Sequence, residues 1–118
     1  MKTSMKSYVP SRAPCPIGRA SRVLGDRWAL LVLREAFLGI EHFEQFMERL
    51  PISRAALASR LRLLLEAGLL EREQPGARRS AYRLTAAGRA LDPTLTAMRD
   101  WAEAWLPPSG TKGTLNGT

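Results

Sequence analysis

Leu57, Leu61, Leu64 and Leu65 recur at i, i+4, i+7 and i+8, the spacing of one buried face of an α-helix. Ser53 precedes that run as an N-cap, since its hydroxyl can accept from the free N–H groups of the first turn. Gly68 follows it, where a left-handed residue ends a helix at little cost. Arg54, Ala55, Ala58, Ser59 and Arg62 fall on the opposite, small and basic side. Leu69 to Glu73 then reads as a strand, Pro75-Gly76 as a turn charged by Arg78 and Arg79, and Ala81 to Leu84 as the returning strand.

Upstream, Pro16 suits the first turn of a helix whose apolar face is Ile17, Ala20, Val23 and Leu24. Gly25 breaks it and Asp26 caps the next helix, Arg27 to Leu38. That helix is apolar almost all round, through Trp28, Leu30, Leu31, Val32, Leu33, Ala36 and Phe37, and is expected to be the central buried helix. His42 to Leu50 predicts a short helix with Phe43, Phe46, Met47 and Leu50 inward. Only Pro51-Ile52 separates it from Ser53, so the two helices form a tight pair of helix-turn-helix type. Thr85 is expected to cap a last helical region, Ala86 to Leu91 and Pro93 to Leu106, which Asp92-Pro93 either kinks or restarts, with Asp92 as a cap and Pro93 in the first turn. There Leu95, Met98, Trp101, Ala102, Trp105 and Leu106 make an apolar stripe carrying two large aromatics. The pattern predicts a mainly α domain with a small β-hairpin, a winged helix-turn-helix spanning residues 14–106. A basic arm, 1–13, precedes it, and a Pro-, Gly-, Ser- and Thr-containing tail, 107–118, follows.

Composition narrows the chemistry. The 118 residues are 45% hydrophobic and 25% charged, as in a single globular domain. The formal net charge of +7 suits a polyanion, because each phosphate neutralised by a cation releases counterions; anionic membrane surfaces would attract it too, and charge alone does not choose between them. No apolar run reaches the length of a membrane span, and Lys2 and Lys6 have no apolar block behind them, so neither a membrane partner nor a secretory signal is expected. The single cysteine excludes an intrachain disulfide and fits a reducing cytoplasm. With a single histidine, no metal or other cofactor is expected. No phosphate loop, paired carboxylates or Ser/His/Asp set can be assembled, so an enzyme is not expected. His42, near Glu41 and Glu44, reads as a partly exposed histidine at a helix start.

Several segments resemble the HxlR-type family of bacterial transcriptional regulators, which are related to MarR-type regulators. Cys15-Pro16-Ile17 with Arg19, then Leu24-Gly25-Asp26-Arg27-Trp28, match its opening. Gly39, Phe43, Leu50-Pro51, Ile52-Ser53, Leu57, Arg60-Leu61-Arg62, Gly68-Leu69 and Arg72 match its helix-turn-helix. Tyr82, Leu84-Thr85, Gly88 and Trp101 match the region after the wing. The resemblance covers roughly residues 15 to 106. It implies a homodimer built from the N- and C-terminal helices that binds double-stranded operator DNA. Ile17, Leu95, Met98, Trp101 and Trp105 would then lie in the interface. Four positions depart from the family pattern. Ala55 and Ala58 stand where lysine and threonine are usual, and Leu63 and Leu65 replace acids. Small apolar contacts to thymine methyls can take the place of polar ones there.

The leading expectation is therefore a sequence-specific regulator. Ser53, Arg54, Ala55, Ala58, Ser59 and Arg62 would meet the groove and its edges, and Arg78 and Arg79 the flanking backbone. Arg60 sits at the border of the apolar face and reads as pairing with an acid of the preceding helix. An alternative is a redox or electrophile sensor switched through Cys15, as the resemblance implies for some members, with the helix N-terminus favouring thiolate. A second alternative is a winged-helix protein-interaction module without DNA. The sequence identifies neither the operator nor any small-molecule effector.

Overall fold

The computed structural model describes residues 15–74 and 80–108; the basic arm, the turn carrying Pro75-Gly76, Arg78 and Arg79, and the end of the tail lie outside them. Among the described residues six helices and one hairpin follow in order: α1 (Pro16–Leu24), α2 (Arg27–Phe37), α3 (Phe43–Arg49), α4 (Arg54–Glu66), β1 (Leu70–Glu73), β2 (Ala81–Leu84), α5 (Ala86–Arg89) and α6 (Asp92–Trp105).

Side-chain caps set three of the helix starts. The Asp26 carboxylate accepts from Ala29 N–H at 2.8 Å, the Ser53 hydroxyl from Ala56 N–H at 3.1 Å and the Thr85 hydroxyl from Gly88 N–H at 3.0 Å. α4 ends at Gly68, whose φ of +78° is the left-handed conformation expected there. Leu69 N–H donates to Leu64 C=O and Gly68 N–H to Leu65 C=O, the paired bonds that satisfy the last carbonyls of a helix.

At the start of α6 the chain kinks and does not restart. Asp92 is the first residue of the helix and not its cap. Ala90 and Leu91 keep right-handed helical φ and near-helical ψ, so the chain bends there without restarting. The Asp92 carboxylate instead accepts from the Thr96 hydroxyl at 3.1 Å.

The core joins Ala29, Val32 and Leu33 of α2, Phe46 of α3, Leu50 and Ile52 of the turn, and Leu57, Leu61 and Leu64 of α4 to Leu70 and Tyr82 of the hairpin. α2 is central, as its pattern predicts, but it is not buried all round. Leu30, Leu31 and Phe37 line an open cleft of about 810 Å³ towards α6. Its sequence also hides a buried charge. Glu35 is 1% exposed and accepts hydrogen bonds from Arg34 and from Arg49 at the end of α3. Burial alone would raise the Glu35 pKa; the hydrogen bonds from Arg49 and Arg34 outweigh it and hold the carboxyl below its usual range.

The strands pair antiparallel, with Leu70 opposite Leu84 and Arg72 opposite Tyr82. Tyr82 N–H donates to Glu41 C=O at 2.8 Å, and the Thr85 hydroxyl to Gly68 C=O at 2.6 Å. These bonds tie the hairpin to both helices of the helix-turn-helix. A Cβ at Gly88 would lie 2.2 Å from the Leu69 carbonyl oxygen, so only glycine lets α5 pack so closely on the end of the α4–β1 link. The whole is a winged helix-turn-helix: α3, a tight turn, α4, and a two-stranded wing.

Candidate nucleic-acid interface

α4 presents opposite faces to the core and to solvent. Leu57, Leu61 and Leu64 are buried, whereas Ser53, Arg54, Ala55, Ser59 and Arg62 are exposed and Ala58 is half-buried at the border. The outward face is small and cationic, which lets a helix sit deep in a groove. Among the described residues, Arg62 makes no ion pair, so its guanidinium is available to an external acceptor.

The other two arginines of α4 are not free. Arg60 donates through Nε and Nη2 to the Asp26 carboxylate, at 3.0 and 3.2 Å. Its partner lies at the start of α2, not on the preceding helix as expected. The same carboxylate that caps α2 thus locks α4 to it. The Arg60 hydrogen bond holds the Asp26 carboxyl below its usual range, against burial, with the Ala29 N–H acting in the same direction. Arg54, expected to stand free in the first turn, donates Nη1 and Nη2 to Glu44 of α3 at 3.2 and 2.7 Å. It also stacks over Phe43, 5.0 Å from the ring centre. The Arg54 hydrogen bond lowers the Glu44 pKa, and Glu44 raises that of Arg54.

Beside this pair, between the start of α3 and the root of the wing, lies a cleft of about 530 Å³. It brings in residues that sequence reasoning did not select for DNA contact, among them Arg72, His42 and Glu44. Arg72 stacks on Tyr82, its cross-strand partner, at 5.4 Å and donates to the Ser80 hydroxyl at 3.0 Å. His42 faces the Ser80 carbonyl through Nδ1 at 3.4 Å, and the Gln45 side chain accepts from His42 N–H at 3.1 Å. Glu44 completes the rim. Strand register is what would have revealed Arg72, because it stands directly opposite Tyr82. Arg78 and Arg79 lie outside the described residues.

The expected dimer residues lie apart from this surface. α6 has no buried residue. Trp101 is 57% and Trp105 71% exposed, and Ile17 and Met98 are also exposed. Leu95 is half-buried against its own core and so is not part of the free stripe. The cleft between α2 and α6 opens beside the exposed Leu38 and Met98. Cys15 is a half-buried free thiol at the N-cap of α1 and makes no side-chain capping bond. Among the described residues no helix is long and apolar enough to cross a membrane, and no cluster of acids, histidine and cysteine could hold a metal ion.

The model of the HxlR-like helix-turn-helix family matches residues 23–110. The uncharacterized HTH-type transcriptional regulator Rv3095 of Mycobacterium tuberculosis is 44% identical over 97 residues, which are 80% of this chain and 61% of that protein. The chain thus spans about three fifths of the length of that curated relative. Among solved structures, the crystal structure of PA1607, described as a candidate transcription factor, superposes with a TM-score of 0.77 at 36% identity, covering 87% of this chain and 73% of that one. The redox regulator HypR in its reduced form superposes with a TM-score of 0.70 at 28% identity, covering 76% of this chain and 92% of its own.

Proposed function

Since the chain belongs to the HxlR-like helix-turn-helix family, whose curated relatives are transcriptional regulators and not enzymes, we infer that it is a DNA-binding regulator acting as a homodimer on operator DNA. The observation that carries this reading is the outward face of α4. Ala55, Ser59 and Arg62 are exposed on a helix whose other side is locked into the core, next to the two-stranded wing. In this reading α4 enters the major groove, with its N-terminal half at the base edges. The Ser53 end of the helix and the wing arginines Arg78 and Arg79 meet the phosphates on either side. The cytoplasm is the compartment that this function and the lone thiol suit.

A dimer supplies what α6 lacks. An isologous contact along Met98, Trp101 and Trp105, reached by Ile17 of α1, covers exposed apolar surface and sets two copies of α4 side by side. Residues 14–106 would be the working unit, flanked by the basic arm and the tail.

A salt titration on random duplex DNA tests the binding. The logarithm of affinity should fall linearly with that of salt. Replacing Arg78 or Arg79 with Ala should weaken operator and random DNA alike and reduce the slope by about two units per dimer, about one per lost phosphate contact. Affinity that does not respond to salt would rule out the phosphate contacts, and absence of binding would leave the protein-interaction module as the better reading.

A second reading is added to the first by the position of Cys15. The thiol stands at the N-cap of α1, beside the N–H groups of the first turn, and one similar solved structure is that of a redox regulator. In this reading oxidation joins Cys15 to its copy in the partner subunit or to a small thiol and changes the dimer. Mild diamide should then weaken operator binding severalfold and dithiothreitol restore it, with Cys15→Ser blind to both. The same diamide response in Cys15→Ser would remove the thiol from the mechanism.

A further inference from the structure

Glu44 uses both carboxylate oxygens on Arg54, and it does so end-on: Oε1 takes Nη1 and Oε2 takes Nη2. A guanidinium carries five N–H donors in one plane. End-on pairing occupies one N–H on each terminal nitrogen. The side edge, formed by Nε–H and the second N–H of Nη2, stays open among the described residues. Arg60 shows the opposite arrangement, with its side edge spent on Asp26. The Phe43 ring covers one face of the Arg54 guanidinium. Its plane is therefore set by hydrogen bonds at one end and by stacking beneath, before any ligand arrives. Glu44 and Arg54 remain 67% and 62% exposed at their side chains, so this pair faces whatever meets α4.

Two parallel donors 2–3 Å apart match two adjacent acceptors. In the major groove, guanine offers them as O6 and N7; adenine places a donor beside its acceptor, and thymine a methyl beside its own. The carboxylate also cancels the arginine charge, so the pair adds little to attraction by phosphates, which every sequence shares. A neutral, oriented donor edge discriminates among bases without raising non-specific affinity.

We propose that Glu44 is a specificity-determining residue, which positions Arg54 so that its side edge reads a guanine in each half-site. The inference rests on the DNA-binding reading above. It adds a residue of α3, outside the recognition helix, and the base that it selects.

The test is a set of parallel selections from a randomised duplex pool by the wild type, Arg54→Ala and Glu44→Gln, with affinity for unselected duplex measured alongside. The wild type should select a guanine in each half-site, and Arg54→Ala should lose it. Glu44→Gln, which keeps the shape but not the charge, should weaken preference at that same base by about tenfold. It should bind unselected duplex at least as tightly as the wild type. Three results overturn the proposal while leaving DNA binding standing. Glu44→Gln could retain the full guanine preference, no selected guanine could depend on Arg54, or Glu44→Gln could lose all duplexes alike. A wild type that captures no duplex overturns the proposal together with the reading beneath it.

Discussion

Trp101→Ala should convert the dimer to a monomer at micromolar concentration and weaken operator binding with it. A large aromatic at the centre of an interface contributes about 2 kcal/mol on truncation, and in an isologous contact each change counts twice. About 4 kcal/mol corresponds to a roughly thousandfold weaker dimer. The melting temperature of the variant should match that of the wild type diluted until it too is monomeric, because Trp101 is more than half exposed and α6 has no buried residue. Light scattering and a thermal melt on the same sample separate the two effects. A Trp101→Ala variant that stays dimeric would place the interface elsewhere, as would a wild type that scatters as a monomer.

The second large effect concerns the buried acid. Arg49→Met should destabilise the fold by about 2 kcal/mol. Removing one partner of a fully buried pair costs roughly 3–5 kcal/mol, but Arg49 is half exposed and Arg34 remains, which lowers the expected loss. Glu35 keeps its place among Val32, Leu33 and the rest of the core, so its charge cannot escape to water.

The pH dependence follows from the sign of the shift. The Glu35 carboxyl titrates below its unfolded value of about 4.3, so its contribution is complete above that pH and disappears as pH falls through the lower folded value. Asp26 acts in the same direction through Arg60. Stability should therefore drop below about pH 4, and Arg49→Met should flatten part of that drop. Denaturant unfolding of both proteins from pH 3 to 7 checks this. Parallel curves for the two would mean that the Arg49–Glu35 contact does not govern the acid limb.

Much of the fold was legible because its signals are local. Ser53 and Gly68 bracket α4, and the leucine spacing between them assigns its buried face. Thr85 caps α5, and the hairpin strands fall within one residue of expectation. The misplacements have a common physical origin. Glu35 finds Arg49 fourteen residues on, Arg60 finds Asp26 thirty-four residues back, and Arg54 finds Glu44 ten residues back. Periodicity says which side of a helix faces water, but not which charge waits there from another element. For that reason Arg54 read as a free recognition side chain, and the burial of Glu35 in the nearly apolar α2 was not foreseen. Asp92 left two outcomes open for a different reason. Asp before Pro is a good cap, yet the backbone of Ala90 and Leu91 had already adopted helical φ, and the carboxylate turned to Thr96.

The recognition face and the dimer face are separate surfaces, and the proposed function needs both. One measurement addresses them together: the symmetry of the sites that the wild-type protein selects from a randomised duplex pool. Two copies of α4 related by a two-fold axis should enrich an inverted repeat, with half-site centres about one helical turn, roughly 10 bp, or a multiple of it apart. A pool that returns without enrichment, or enriched only in a single unrepeated half-site, would contradict a dimer that reads operator DNA through α4.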